Sequence, residues 1–377
     1  MRARVLGLVL LCCCDQSASG PAPPLGAEGA LWFVAAPPTF GGMAADRERY
    51  YVGTDMHSLV AINRKTRKLD WSTATGSPGD RFLSANVVIA AGSVVIGDFD
   101  LYAFDPGSGA PRWHYRPGIG FGPGVYGIAT DGSTVYAGSP SGDAFAVNAA
   151  TGSELWRAHV SDVAETTVVE PVIHSGSIYV GYKSFSTNPI TGGVAAIDAA
   201  TGAIRWNRSL LPLEPLYGSG TSEKLVVSDE LVVVGNADGR IVALDRIDGS
   251  IRWTTPRLPE LEALNDFRPL IRVGSALIAG STTGILCAYD LATGNLRWKE
   301  LQPVGAIVLP LVTDSRQVYV NDLTGNLLAV DAETGATKWL MGRRLDGTGG
   351  PFRTKSLVVG DTLIVPGYKA VYGILSR

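Results

Sequence analysis

Little in this 377-residue chain is equipped for covalent, metal or redox chemistry. Its 4 histidines, His57, His114, His159 and His174, fall far apart, and no pair has metal-ligand spacing, which argues against a zinc site. Three of its 4 cysteines are consecutive (Cys12, Cys13, Cys14), and only Cys287 lies elsewhere. Once an N-terminal leader is removed, no internal disulfide can form, and stability must come from packing. Neither charge sign dominates: 32 basic against 35 acidic residues leave −3 at pH 7. No basic stripe appears along the chain, so nucleic acid is not an expected partner. There is no Gly-x-Ser-x-Gly elbow and no Walker loop. One Gly-x-Gly-x-x-Gly match, at Gly122, Gly124 and Gly127, contains Pro123 and has no helix pattern after it, so it does not read as a dinucleotide site.

Long apolar runs are also scarce. Residues 5–11 form a brief apolar stretch behind Arg2 and Arg4, far too short to span a bilayer as a permanent helix. Residues 1–14 read as an export signal, and the polar, Pro/Gly/Ser-rich residues 15–28 read as a flexible tether. A short apolar region, a cysteine and a tether resemble a bacterial lipoprotein signal, with Cys14 as the acylation candidate. The alternative is an ordinary secretory signal cut near Ser19. Both predict export, and the first predicts membrane contact through a lipid anchor only. Cys287, inside an apolar run, reads as a small core residue.

What the chain does have is glycine (46), proline (22) and ample apolar material (46%), a composition suited to many strands and turns. It also has an internal repeat. Seven segments fit Ala-x-Asp-x-x-x-Gly-x-x-x-Trp, ending at Trp71, Trp113, Trp156, Trp206, Trp253, Trp298 and Trp339. Successive tryptophans are separated by 42, 43, 50, 47, 45 and 41 residues. The Asp (Asn63 and Asn148 in two copies) can accept from backbone N–H groups two residues on and start a turn. Gly supplies the positive φ that closes it. In the first copy Arg67 replaces this Gly and should strain or reshape the turn. The returning strand ends at Trp, whose wide ring can fill the space between neighbouring sheets. The fixed place of Asp105, Asp198, Asp245, Asp290 and Asp331 in every repeat points to turn-making rather than catalysis.

Upstream of each template lies a second strand, for example VVIG (94–97) or IYVG (178–181), preceded by a further apolar stretch. Four short strands per 41–50 residues, nearly continuous in apolar character, describe the stacked blades of a β-propeller. A β-sandwich would alternate apolar and polar residues. After Trp339 the pattern restarts in 356–374 and stops before its last strand, which residues 29–32, ending at Trp32, can supply. The expected fold is therefore an all-β, eight-bladed propeller over residues 29–377. Its four-stranded antiparallel blades form a ring closed by the N-terminal strand joining the C-terminal blade. Closure removes sheet edges, so deleting residues 29–34 should destabilise the whole ring.

The template resembles the pyrroloquinoline-quinone (PQQ) propeller repeat over about residues 29–377. One branch of that group, the quinoprotein dehydrogenases, implies PQQ with calcium and an oxidoreductase activity. Its alcohol dehydrogenases place adjacent cysteines against the cofactor, and this chain has none outside residues 12–14. The other branch is similar to BamB, a cofactor-free lipoprotein of the outer-membrane barrel-assembly machinery. That resemblance implies no catalysis and no cofactor. It also implies a place on the periplasmic side of the bacterial outer membrane, or soluble in the periplasm, with a protein partner, the barrel-assembly core protein. The branch carries its partner surface on interblade loops with a Leu-x-Leu-Arg and an Asp-x-Asp segment. The matching positions here are Leu211, Leu213 and Asp266, with Glu214 where the family has arginine and Asn265 within the second segment. Three readings stand open from sequence: an envelope scaffold, a small quinoprotein, and a propeller recognising a carbohydrate or peptide at its centre.

Overall fold

The computed structural model describes residues 32–376 except 38, 55, 76–85, 119–124, 126, 213–217, 222–223, 259–266, 308, 323–324, 342–354 and 368–369. The expected signal and tether, including Cys14, therefore lie outside the described residues, as do Leu213 and Asp266.

Eight antiparallel sheets follow one another along the chain. Blade 1 covers Thr39–Ala45, Arg49–Thr54, Ser58–Asn63 and Leu69–Ala74, each strand pairing with the next. Blades 2 to 7 repeat this order and end at Tyr115, His159, Leu210, Thr254, Leu301 and Met341. Blade 8 has Leu357–Val359, Thr362–Pro366 and Ala370–Leu375, and its fourth strand is Trp32–Ala35 from the N-terminus. Trp32 pairs with Gly373 and Ala35 with Ala370. The expected closure by the N-terminal strand is thus present.

The first strand of each blade touches the first strand of the next, and that of blade 8 touches that of blade 1. These strands line the axis of a closed ring. Second and third strands carry the apolar runs and are buried on both faces, as in Ser93–Gly97 and Ser177–Ser184. Between blades 5 and 6 the space is filled by Val233, Ile241, Leu277 and Cys287. Val52 and Val60 meet Ile364 and Val371 across the seam between blades 1 and 8. Cys287 is fully buried, as its apolar setting predicts.

Two details differ from expectation. Each fourth strand runs past its tryptophan rather than ending there, and apart from that ring it is largely exposed, because it forms the outer rim. In blade 4 the first strand is split into Thr166–Val168 and Val172–His174, both pairing with Ser177–Ser184. The break falls at Val169–Pro171, where proline has no N–H to give the ladder.

The template residues hold neighbouring blades together. Trp156 pairs with Ala146 on its own sheet, and its Nε1 donates to the Ala199 carbonyl of the next blade at 3.0 Å. A Cβ on Gly202 (φ 76°) would come within 2.7 Å of the same ring. So Ala lies beneath the indoles of blades 1 to 7 and Gly above those of blades 1 to 6, the latter both for its positive φ and to admit the ring. The seam inverts this arrangement. Beneath Trp32 lies Gly373, where a Cβ would meet the indole at 2.0 Å. Above it stands Arg67, at φ 56°, with its guanidinium 5.3 Å from the ring centroid. The turn survives intact, since the Arg67 N–H still donates to the Asn63 carbonyl at 2.9 Å. Arg67 therefore strains this turn without reshaping it. With no methyl on residue 373, the ring lies close against its own sheet, and the Arg67 side chain occupies the side where other blades have glycine.

Candidate functional site

In an up-and-down blade the interblade connections and the turns between second and third strands emerge on one face, and the template turns on the other. The template-turn face is structurally committed. Asp198 Oδ1 accepts from the Ala200 and Thr201 N–H groups, while Oδ2 accepts from Arg205 at 2.7 Å. Asp105, Asp290 and Asp331 repeat the pattern with Arg112, Arg297 and Lys338. Asp245 meets Arg252 at 3.5 Å. Hydrogen bonds from Ser108 and Arg112 hold the Asp105 carboxyl at about 2, and those from Arg205 and Thr201 hold Asp198 at about 2. One oxygen of each carboxylate accepts from the turn N–H groups and the other holds the returning strand, which supports the turn-making reading.

The interblade face is more varied. Blade 4 projects from it: Ser177–Ser184 and Thr191–Asp198 are eight residues long where their counterparts have four to six. The 50-residue spacing between Trp156 and Trp206 is the sequence trace of this extension. Phe185 stands 53% exposed at the start of its turn, with the Lys183 ammonium 5.7 Å from its ring centroid. Gly192 of the same hairpin pairs with Leu210, and Leu211 follows directly, 76% exposed. Arg240, in the turn of blade 5, donates to the Leu211 carbonyl at 2.9 Å and pairs with buried Asp238 at 2.6 Å. Neither Arg240 nor Phe185 was legible as a site residue in the sequence, because only the packing of blade 5 on blade 4 brings Arg240 to Leu211.

The histidines are dispersed, each against an aspartate. His57 Nδ1 lies 2.8 Å from Asp98, His114 Nε2 2.7 Å from Asp100, His159 Nδ1 2.6 Å from Asp143 and His174 Nε2 3.0 Å from Asp229. No group of His, Cys, Asp and Glu able to hold a metal occurs among the described residues.

At the axis, side chains from four blades converge. Asn86 Nδ2 donates to Glu170 Oε2, and the Lys224 ammonium pairs with Glu170 Oε1. Lys355 lies close enough to feel both charges. Burial, and then repulsion from Lys224, hold its ammonium below the ordinary lysine range, against the pull of Glu170.

The family model described as outer membrane protein assembly factor BamB matches residues 97–341 and 268–375. The outer membrane protein assembly factor BamB of Yersinia pestis is 28% identical over 247 residues, which are 62% of this chain and 58% of that protein. This chain thus aligns with under two thirds of that relative's length. The crystal structure of BamB from Moraxella catarrhalis superposes with a TM-score of 0.62 at 19% identity, covering 80% of this chain and 92% of that one. The quinohemoprotein alcohol dehydrogenase of Comamonas testosteroni also superposes, with a TM-score of 0.68 at 13% identity over 91% of this chain and 75% of that one. At such identities the structural likenesses show a shared fold, and one fold serves both an assembly factor and an oxidoreductase. The family matches decide between the branches: with models spanning residues 97–375 between them, the chain belongs to the outer membrane protein assembly factor BamB family.

Proposed function

We propose that this propeller is a non-catalytic scaffold of the cell envelope that docks another protein during outer-membrane protein assembly, through the interblade face around blades 4 and 5. The observation carrying this reading is Leu211, a large apolar side chain left 76% exposed beside a projecting hairpin. Isolated exposed apolar residues need no explanation, but the Arg240 guanidinium binds the Leu211 carbonyl, and the hairpin of the same blade carries a second exposed apolar side chain, Phe185. Apolar anchors next to an arginine are the composition of a contact patch. Arg240 also brings a positive charge to the segment in which Glu214 replaces the arginine of its relatives. On this reading the protein works at the periplasmic side of the outer membrane, tethered through Cys14. Its partner is the barrel-assembly core protein.

The enzyme alternative, PQQ with calcium over the axis, does not suit the residues found there. The one carboxylate of the described axis cluster, Glu170, is already shared between Asn86 and Lys224 and faces a second ammonium, so a divalent cation would meet net positive charge. Affinity capture from native membranes tests the scaffold reading. Wild type should retain the barrel-assembly core protein, and Leu211→Asp should lose most of it while melting at the same temperature. Equal recovery by both would remove Leu211 from the interface. Alcohol-dependent dye reduction after addition of PQQ and Ca²⁺ would overturn the non-catalytic reading.

A further inference from the structure

The axis cluster has a regular origin. Counted on from the paired residues, one position recurs along the innermost segment of each blade: Gly42, Asn86, Gly127, Glu170, Lys224, Pro269, Pro310 and Lys355 in blades 1 to 8, Glu170 falling in the break of the split strand of blade 4. These eight residues form a ring at the mouth of the channel, on the interblade face. The ring is narrow: a Cβ on Gly42 would lie 2.6 Å from the Asn86 Cα, and one on Gly127 would lie 2.5 Å from the Glu170 Cβ. With blade 3 contributing only Gly127, Asn86 of blade 2 reaches past it to Glu170 of blade 4. Glu170 is then satisfied on one oxygen by Asn86 and on the other by Lys224.

Lys355 has no such complement. Its ring neighbours are Pro310 and Gly42, neither with a side-chain acceptor, and it forms no hydrogen bond or ion pair among the described residues. Two ammonium groups therefore face one carboxylate whose oxygens are both engaged, in a partly desolvated mouth. A partly desolvated ammonium whose nearest carboxylate is already engaged is costly, and an incoming anion relieves that cost while gaining charge-assisted hydrogen bonds. We propose that the channel mouth is a binding site for an oxyanion, a carboxylate or a phosphate group, held by Lys355 and supported by Lys224. It is independent of the docking patch on blades 4 and 5, so either can fail without the other.

The test is calorimetric and thermal titration of the full mature protein at pH 7 and constant ionic strength. Inorganic phosphate and succinate are the small probes, and sodium chloride is the control. A short peptide with a free C-terminal carboxylate is compared with its amide, to tell a free ligand from one borne by a partner chain. At least one oxyanion should bind saturably and raise the melting temperature, where chloride does not. Lys355→Met should weaken that binding about tenfold or more, the size expected for one lost charge-assisted hydrogen bond. Because this variant removes an ammonium that pairs with none of the described residues, it should melt in chloride no lower than wild type. Lys224→Met should weaken binding less. Absence of saturable binding by all of these probes, or unchanged affinity in Lys355→Met, would overturn the site.

Discussion

Gly373→Ala is the smallest change that should open the ring. The added methyl would fall 2.0 Å from Trp32 Cε2 and 2.3 Å from Nε1, with Arg67 blocking retreat on the far side. Overpacking of this kind costs about 1–3 kcal/mol. Expelling the indole instead would forfeit about half of a tryptophan's ~200 Å² of burial, near 2.5 kcal/mol at ~25 cal/mol per Å². Both routes converge on a loss of about 2–3 kcal/mol. Arg67→Gly alone should be close to neutral. It gives up a cation–π contact of about 0.5–1 kcal/mol and relieves a left-handed non-glycine residue costing about 1–2 kcal/mol. Gly373→Ala with Arg67→Gly restores the arrangement at six other tryptophans, alanine beneath the ring and glycine above it. The double variant should therefore recover most of the lost stability, with a coupling energy near 2 kcal/mol. Urea unfolding followed by tryptophan fluorescence and far-UV circular dichroism measures all four corners of the cycle. Additivity within about 0.5 kcal/mol, the behaviour of independent sites, would refute the compensation between residues 67 and 373.

Three further outcomes are expected. Deleting residues 29–34 removes the outer strand of blade 8 and should lower the melting temperature of the whole ring in one transition; an unchanged melting temperature would mean that closure contributes nothing. Asp105 and Asp198 titrate at about 2 in the folded protein, below the ordinary 3.8. Their contribution should accordingly be complete above about pH 4 and fade as the pH falls toward 2, and Asp198→Asn should flatten the dependence of the urea midpoint on pH over that range. Cys287 is fully buried, so a thiol reagent should label it only on unfolding, with a rate that follows urea concentration. Rapid labelling of the folded protein would contradict its place between blades 5 and 6.

Much of the fold was legible because a propeller repeats one local solution. The eleven-residue template fixes the turn through Asp, its closure through Gly and the interblade filler through Trp. These are short-range demands that a one-dimensional sequence can express, and seven copies make them unmistakable. Trp32 was recognisable as the eighth because the same arithmetic left one blade short of a strand. The functional surfaces were not legible in this way. Leu211 could be nominated, but nothing in the chain shows that the turn holding Arg240 reaches its carbonyl. Glu170, Lys224, Lys355 and Asn86 sit in unremarkable local sequences up to 269 residues apart in the chain. They meet only because strand register places each at the same height of a closed ring. Local physics wrote the blades into the sequence; the neighbours across the axis and across the seam, including Gly373 beneath Trp32, exist only once the ring has closed.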